Sequence, residues 1–179
     1  MEVEAMGKVL VTATIENMED LFDVEKGLLP PERVRRIEVP DALVDTGATM
    51  LLLPRRMVAQ LGLRPFRTRE ARGLGGPIVM GMYHVVRLTI QGRECAMDVG
   101  EVPDEYPVII GQLPLEALDW VVDVRNRCLI GNPEHGGEQV IEVFRLTWSV
   151  QMGNATSELA RFGLPMREVG EDVAHESVG

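Results

Sequence analysis

Cysteine is scarce in this chain: Cys95 and Cys128 are the two present in 179 residues. Two thiols build no disulfide framework, and both read as reduced and buried in strands, which fits a reducing compartment. Histidine is nearly as rare, with three residues. His84, His135 and His175 lie far apart, none at metal-ligand spacing from a cysteine, so no metal site is expected. His84 reads as a partly buried strand residue. Aromatic residues make up 4% of the chain, and Trp120 and Trp148 read as packing residues rather than substrate platforms. Basic residues are outnumbered, 18 against 28 acids, for a net charge of −10 that repels a phosphate backbone. Nucleic acid is therefore not an expected partner. No apolar run approaches the ~20 residues of a membrane span, so no membrane partner is expected. The opening residues Met1 to Met6 lack the positive region and apolar core of a secretory signal, so cytoplasmic residence is expected. Ser149, Ser157 and Ser177 sit in no nucleophile motif.

What the chain does have is concentrated in Ala42-Leu43-Val44-Asp45-Thr46-Gly47-Ala48, an apolar run ending in an acid, a hydroxyl and a glycine. The run belongs in a core, and Gly47 permits the turn and a close backbone approach. A carboxylate at the end of a buried strand is costly unless neighbouring amide and hydroxyl groups satisfy it. Such a cost is tolerated for chemistry. The tripeptide alone reads first as a plain strand-to-turn junction capped by Asp45. Its flanks argue for more: three apolar residues before it, a small residue after it, then Met50-Leu51-Leu52-Leu53-Pro54.

The remainder reads as mostly β. Lys8–Ile15 is an opening strand, and Val34–Val44 is a second one interrupted by Pro40. Residues 16–33 are acidic and broken by Gly27, Pro30 and Pro31, and read as a surface loop or irregular hairpin. Arg55–Gly62 carries helical spacing, with Gly62 as its stop. Strand segments are expected near 78–90, 93–99, 107–110, 120–124 and 127–130, giving a closed or nearly closed β structure with two short helices. An internal pseudo-repeat supports this. Leu43-Val44 leading to Gly47 parallels Ile109-Ile110 leading to Gly111, each followed by a leucine-rich segment and a helix, and the second half lacks the acid.

The ordered set of motifs resembles the aspartic peptidases, specifically their single-lobed, retropepsin-like branch. Besides Asp45-Thr46-Gly47, Arg72-Gly73-Leu74-Gly75-Gly76-Pro77 looks like the glycine-rich flap. A dinucleotide cradle or P-loop is excluded there, because strand-like Ile78-Val79-Met80 follows rather than a helix. An ordinary mobile turn is the plain alternative. His84–Ile90 and Cys95–Val99 look like the strands after the flap, and Pro107-Val108-Ile109-Ile110-Gly111 like the apolar triplet beside the catalytic loop. Leu115–Trp120 followed by Val121–Val124 looks like the short helix and closing strand. The resemblance covers about residues 6 to 131. One departure is Gln112-Leu113-Pro114, where the family commonly has a polar or charged pair.

The resemblance implies a mainly β, closed, barrel-like acid-protease fold over residues 1–150, with a polar acidic tail at 151–179. It implies an aspartic endopeptidase with Asp45 as the catalytic acid, acting on extended, mostly apolar peptides without a metal or organic cofactor. Thr46 would bond the partner's loop backbone, Gly47 would present its amide to the carboxylate, and Ala48 would line the floor. Gly73, Leu74, Gly75 and Gly76 would bind substrate as a flexible hairpin, while Ile109, Ile110 and Gly111 pass beside the site. This chemistry needs two carboxylates sharing a proton. The chain offers one such loop, with Asp98, Asp104 and Asp123 as weaker candidates for a second acid. A homodimer joining two Asp45 residues across a two-fold axis is therefore expected. Gln139–Trp148 alternates like a strand, and by resemblance it or the opening strand would build the interface; a short helix is expected near Ser157–Phe162 and a loose tail after it. The alternative is a catalytically silent dimerisation or peptide-binding module of the same fold.

Overall fold

Alternation of branched and polar residues sets the first strand. In β1 (Val9–Asn17), Val9, Val11, Ala13 and Ile15 are buried while Leu10 and Thr12 are exposed, so one face turns inward. The computed structural model describes residues 8–73 and 76–141. Helix α1 (Met18–Glu25) follows β1 directly. Residues 16–33 thus hold a helix where the sequence suggested a loop or irregular hairpin. The reason is local: the Asn17 side chain accepts from the backbone N–H groups of Glu19 and Asp20, and both acids sit favourably in the first turn.

Strand β2 (Arg36–Val44) runs antiparallel to β1 from Glu16↔Arg36 to Val9↔Val44. Val11 pairs with Ala42 and Ala13 with Val39, so Pro40 and Asp41 bulge opposite Thr12. Proline has no N–H to give a ladder, and a bulge is where that loss costs least. After the Asp45 turn come β3 (Leu51–Pro54) and α2 (Arg55–Gln60), which stops at Leu61 because Gly62 takes φ +59°. Then follow β4 (Pro65–Gly73), β5 (Gly76–Ile90), β6 (Arg93–Val102), β7 (Ile109–Ile110), α3 (Gln112–Ala117), β8 (Trp120–Asp123) and β9 (Cys128–Gly131). Strand β4 has no counterpart in the sequence reading, because Pro65 to Gly73 is almost wholly exposed and carries no apolar alternation. Among the described residues there are three α-helices, one more than expected.

The strands close into a hydrogen-bonded ring. Neighbours run β1-β2-β7-β3-β6-β5, and β5 returns to β1 through Ala13↔Ile90 to Asn17↔Val86. The β2–β7 and β3–β6 pairs are parallel, the others antiparallel. This closed, mainly β arrangement with short helices agrees with an acid-protease fold. Strand β4 lies outside the ring, on the edge of β5, and β8–β9 is a separate hairpin. Inside sit Ile15, Leu51, Leu53, Leu61, Leu88, Ile90, Ile110 and Leu118, all fully buried. Each such side chain contributes about 1.5–3 kcal/mol by leaving water.

Cys95 and Cys128 are free thiols on β6 and β9 and are half-buried; burial pushes the Cys95 thiol up to about 11. His84, expected to be partly buried, is exposed on β5 and meets the Phe66 ring edge-on at 5.3 Å. Gln139 to Ile141 are not in a strand, and the rest of the segment to Trp148 lies outside the described residues, as do residues 151–179 and the flap residues Leu74 and Gly75. No helix among the described residues is long and apolar enough to cross a membrane.

Candidate active site

Three strand ends meet at the Asp45 turn. Leu43 and Val44 pair with Ile109 and Ile110 of β7, and Leu51 and Leu52 pair with the same two residues from the other side. The short strand β7 is thus held between β2 and β3. Leu43 N–H donates to Val108 O at 2.8 Å and Asp45 N–H to Ile110 O at 3.0 Å, so the acid is fixed to β7 through its own backbone. The turn closes with Ala48 N–H donating to Asp45 O at 3.0 Å. Beyond β7, Gln112 N–H reaches Ala48 O at 2.8 Å and Leu113 N–H reaches Thr49 O at 2.9 Å. The Asp45 turn and the Gly111 segment are therefore stitched together on both sides. Sequence gave Ile109, Ile110 and Gly111 as neighbours of the turn, and the hydrogen bonds bring the two segments together.

Within the turn, Gly47 N–H donates to Asp45 Oδ1 at 2.8 Å. A Cβ on Gly47 would lie 3.1 Å from that same oxygen, which is tight. The turn therefore accepts an amide and a carboxylate face to face because residue 47 is small. Asp45, Thr46 and Gly47 are exposed, and Ala48 is half-buried. The end of a buried strand is a costly place for an acid, but in a single protomer the Asp45 carboxylate stands in solvent and carries no burial cost. The buried part of the segment is Ala42 and Val44, which hold the turn from below.

No second acid joins Asp45 from this chain's weaker candidates, which are engaged elsewhere. Asp98 faces Arg67 at 3.6 Å, and Asp104 accepts from Arg56 N–H at 2.7 Å. Asp123 accepts from the Asn126 backbone and side chain across the β8–β9 turn, which holds its carboxyl below the usual range. Among the described residues no cluster of three or more His, Cys, Asp or Glu could hold a metal ion.

The glycine-rich hairpin is built by β4 and β5, which pair from Pro65↔Tyr83 to Gly73↔Gly76, with Gly76 at φ +112°. Tyr83 at its base donates to Glu101 Oε2 at 2.6 Å, and Arg55 donates to the other oxygen at 3.0 Å. The hydrogen bond to Glu101, then burial, push the Tyr83 hydroxyl up.

Two polar clusters escaped the sequence reading. In one, buried Asn17 donates to Leu61 O at 2.9 Å, while Asp20 takes a fork of bonds from Arg35 at 2.7 and 2.6 Å. The Arg35 side chain holds the Asp20 carboxyl below its ordinary range. Asn17-Met18-Glu19-Asp20 was a legible signal, a capping residue ahead of first-turn acids. In the other, Asp119 at φ +53° meets His135 Nδ1 at 2.6 Å and accepts from Asn132 Nδ2 at 2.9 Å and Val140 N–H at 3.1 Å. No local pattern announces a contact of that separation.

Residues 34–115 match the model of an aspartyl protease family. The matched stretch begins just before β2 and ends in α3, so it spans the Asp45 turn, the hairpin and the Gly111 segment. No curated protein matches the chain. The resemblance to retropepsin-like aspartic peptidases thus rests on the same residues that build the site, and the closed β ring is the fold that goes with it.

Proposed function

We propose that this protein is an aspartic endopeptidase that hydrolyses peptide bonds in extended, mostly apolar segments, using one Asp45 from each of two copies in a homodimer. The observation that carries the reading is the Asp45-Thr46-Gly47 turn, pinned to β7 by backbone bonds inside a stretch that matches an aspartyl protease family. One carboxyl cannot both take a proton from the water and give one to the carbonyl oxygen in the same step. Two such groups a few Å apart share one proton, because both cannot ionise together.

Chemistry then follows from the pair. The ionised carboxylate accepts a proton from a water between the two, and the water oxygen attacks the scissile carbonyl carbon. The protonated carboxyl hydrogen-bonds the carbonyl oxygen and stabilises its developing charge. Collapse returns a proton to the leaving nitrogen. In this reading Thr46 bonds the partner's loop, Gly47 orients the acid through its amide, and Ala48 lines the floor. The β4–β5 hairpin borders the bound peptide in this reading, and the site uses no metal or organic cofactor. Shared-proton chemistry favours the acidic to near-neutral side. Free Cys95 and Cys128 suit a reducing compartment, so the reading places the enzyme in the cytoplasm.

The test is digestion of a diverse peptide mixture from acidic to neutral pH, read by mass spectrometry, for the parent and Asp45→Asn. Cuts made by the parent alone are expected, with both proteins dimeric by sedimentation. Cuts that persist in the variant assign the activity to another nucleophile. Peptide binding without cuts replaces the reading with a silent binding module.

A further inference from the structure

The β4–β5 hairpin leaves the ring on its way to the tip. Strand β6 pairs with β5 from Ile90 back to Met82, whereas β4 pairs with β5 down to Gly73↔Gly76. The outer part is therefore a two-stranded arm with β4 as a free edge. Arg64–Gly73 contains four arginines and one glutamate, in a chain whose net charge is −10. An exposed edge strand needs charge to discourage pairing with other chains, but either sign serves that purpose. Edge protection does not explain why the sign here opposes the rest of the molecule.

Two of these arginines are already used. Arg64 pairs with Glu19, and Arg67 lies 3.6 Å from Asp98 and over the Phe66 ring at 4.8 Å. Among the described residues Arg69 and Arg72 have no carboxylate partner, and both are exposed. Register places them. Arg69 stands opposite Met80, and Ala71 opposite Ile78, on one face of the arm; Arg72 stands opposite Pro77 on the other. The Met80 face turns toward Leu52: a Cβ on Gly100 would lie 2.8 Å from Met80 Sδ and 2.7 Å from Leu52 Cδ2. Met80 and Leu52 thus meet over β6, and Leu52 belongs to the strand that leaves the Asp45 turn. Along that face an extended peptide meets apolar Ala71 and Ile78 first, then the Arg69 guanidinium.

We propose that Arg69 reads an acidic side chain that borders the cleaved segment, so that the preferred substrate is an apolar stretch flanked by Asp or Glu, while Arg72 on the far face adds only to the positive field of the arm. This rests on the endopeptidase reading above. The overall negative charge repels acidic peptides at long range, and the arm offsets that repulsion at one place only. The result is a positional preference rather than a general attraction.

The experiment compares kcat/KM for peptides with one apolar core and Glu, Gln or Lys flanks. It uses the parent, Arg69→Glu/Arg72→Glu and Arg69→Lys/Arg72→Lys, with circular dichroism melts to confirm folding. The parent is expected to favour Glu over Gln flanks by roughly two- to fivefold, the range of one exposed ion pair. The charge-reversed variant is expected to invert the order, the lysine variant to keep it, and added salt to shrink it. Equal rates for Glu and Gln flanks overturn the proposal, as does an acidic preference that survives charge reversal. If the reversed variant fails to fold, Arg69→Gln decides by loss of the preference, with Arg72→Gln expected to keep most of it. Should the parent cut nothing, fluorescence anisotropy of the same peptides on Asp45→Asn decides. Glu-selective binding lost on charge reversal upholds the arginines while the hydrolytic reading falls, and unselective binding or none overturns both.

Discussion

Gly111 passes Met50 with no room for a side chain: a Cβ at residue 111 would lie 2.6 Å from both the backbone nitrogen and the carbonyl oxygen of Met50. Ala48 O would be 2.7 Å away on the same side. The Gly111 φ of −85° is open to any residue, so space and not backbone conformation demands glycine here. All three obstructing atoms are backbone, and the Gln112 and Leu113 amides hold the two segments at this spacing. Gly111→Ala is therefore expected to cost about 3 kcal/mol, the upper end of overpacking in a tight core. Urea denaturation measures it, and a loss under about 1 kcal/mol would mean that the Asp45 turn has slack to move.

Asn17 serves two masters with two different atoms. Its Oδ1 caps α1, while its Nδ2 satisfies the Leu61 carbonyl at the end of α2. Asn17→Ala removes a cap worth about 1 kcal/mol and strands a buried carbonyl at about 1–3 kcal/mol. Asn17→Asp keeps the cap but sets a buried carboxylate oxygen against the Leu61 carbonyl in place of the donor, so its melting temperature is expected well below that of the parent. Equal stability of Asn17→Asp and parent would show that the Leu61 bond contributes nothing.

The Asp119 carboxyl is held down to about 2, first by its hydrogen bond with His135 and then by Asn132, against the opposing effect of burial. A folded value below the ordinary 3.8 stabilises the protein wherever the unfolded carboxylate would be ionised. That contribution is complete above about pH 4 and fades as pH falls toward 2. Asp119→Asn is expected to lower stability at pH 6 and to flatten the part of the acid loss that falls in this window. In His135→Gln the Asp119 carboxyl is expected to titrate at a higher pH by carbon-detected NMR. An unmoved titration would assign the depression to Asn132 and Val140 instead.

Sequence alone determined what local pattern can carry. Alternation in Val9–Ile15 and the branched run of β5 announced ring strands, and Gly62 marked the end of α2. The order of Asp45-Thr46-Gly47, the glycine-rich hairpin and Ile109-Ile110-Gly111 carried the resemblance to the aspartyl protease family whose model matches residues 34–115. Strand β4 stayed hidden because an exposed edge strand has no buried face to impose a period of two. Helix α1 stayed hidden because turn-forming Gly27, Pro30 and Pro31 outweighed a capping signal at Asn17. Tertiary structure decided the rest, through contacts between residues distant in the chain: the return of β5 onto β1 that closes the ring, the fork from Arg35 to Asp20, the Asp119–His135 pair and the crossing of Gly111 over Met50. It also decided that Asp45 of a single protomer stands in solvent, since burial depends on what the fold packs against a residue and not on the residue's neighbours in sequence.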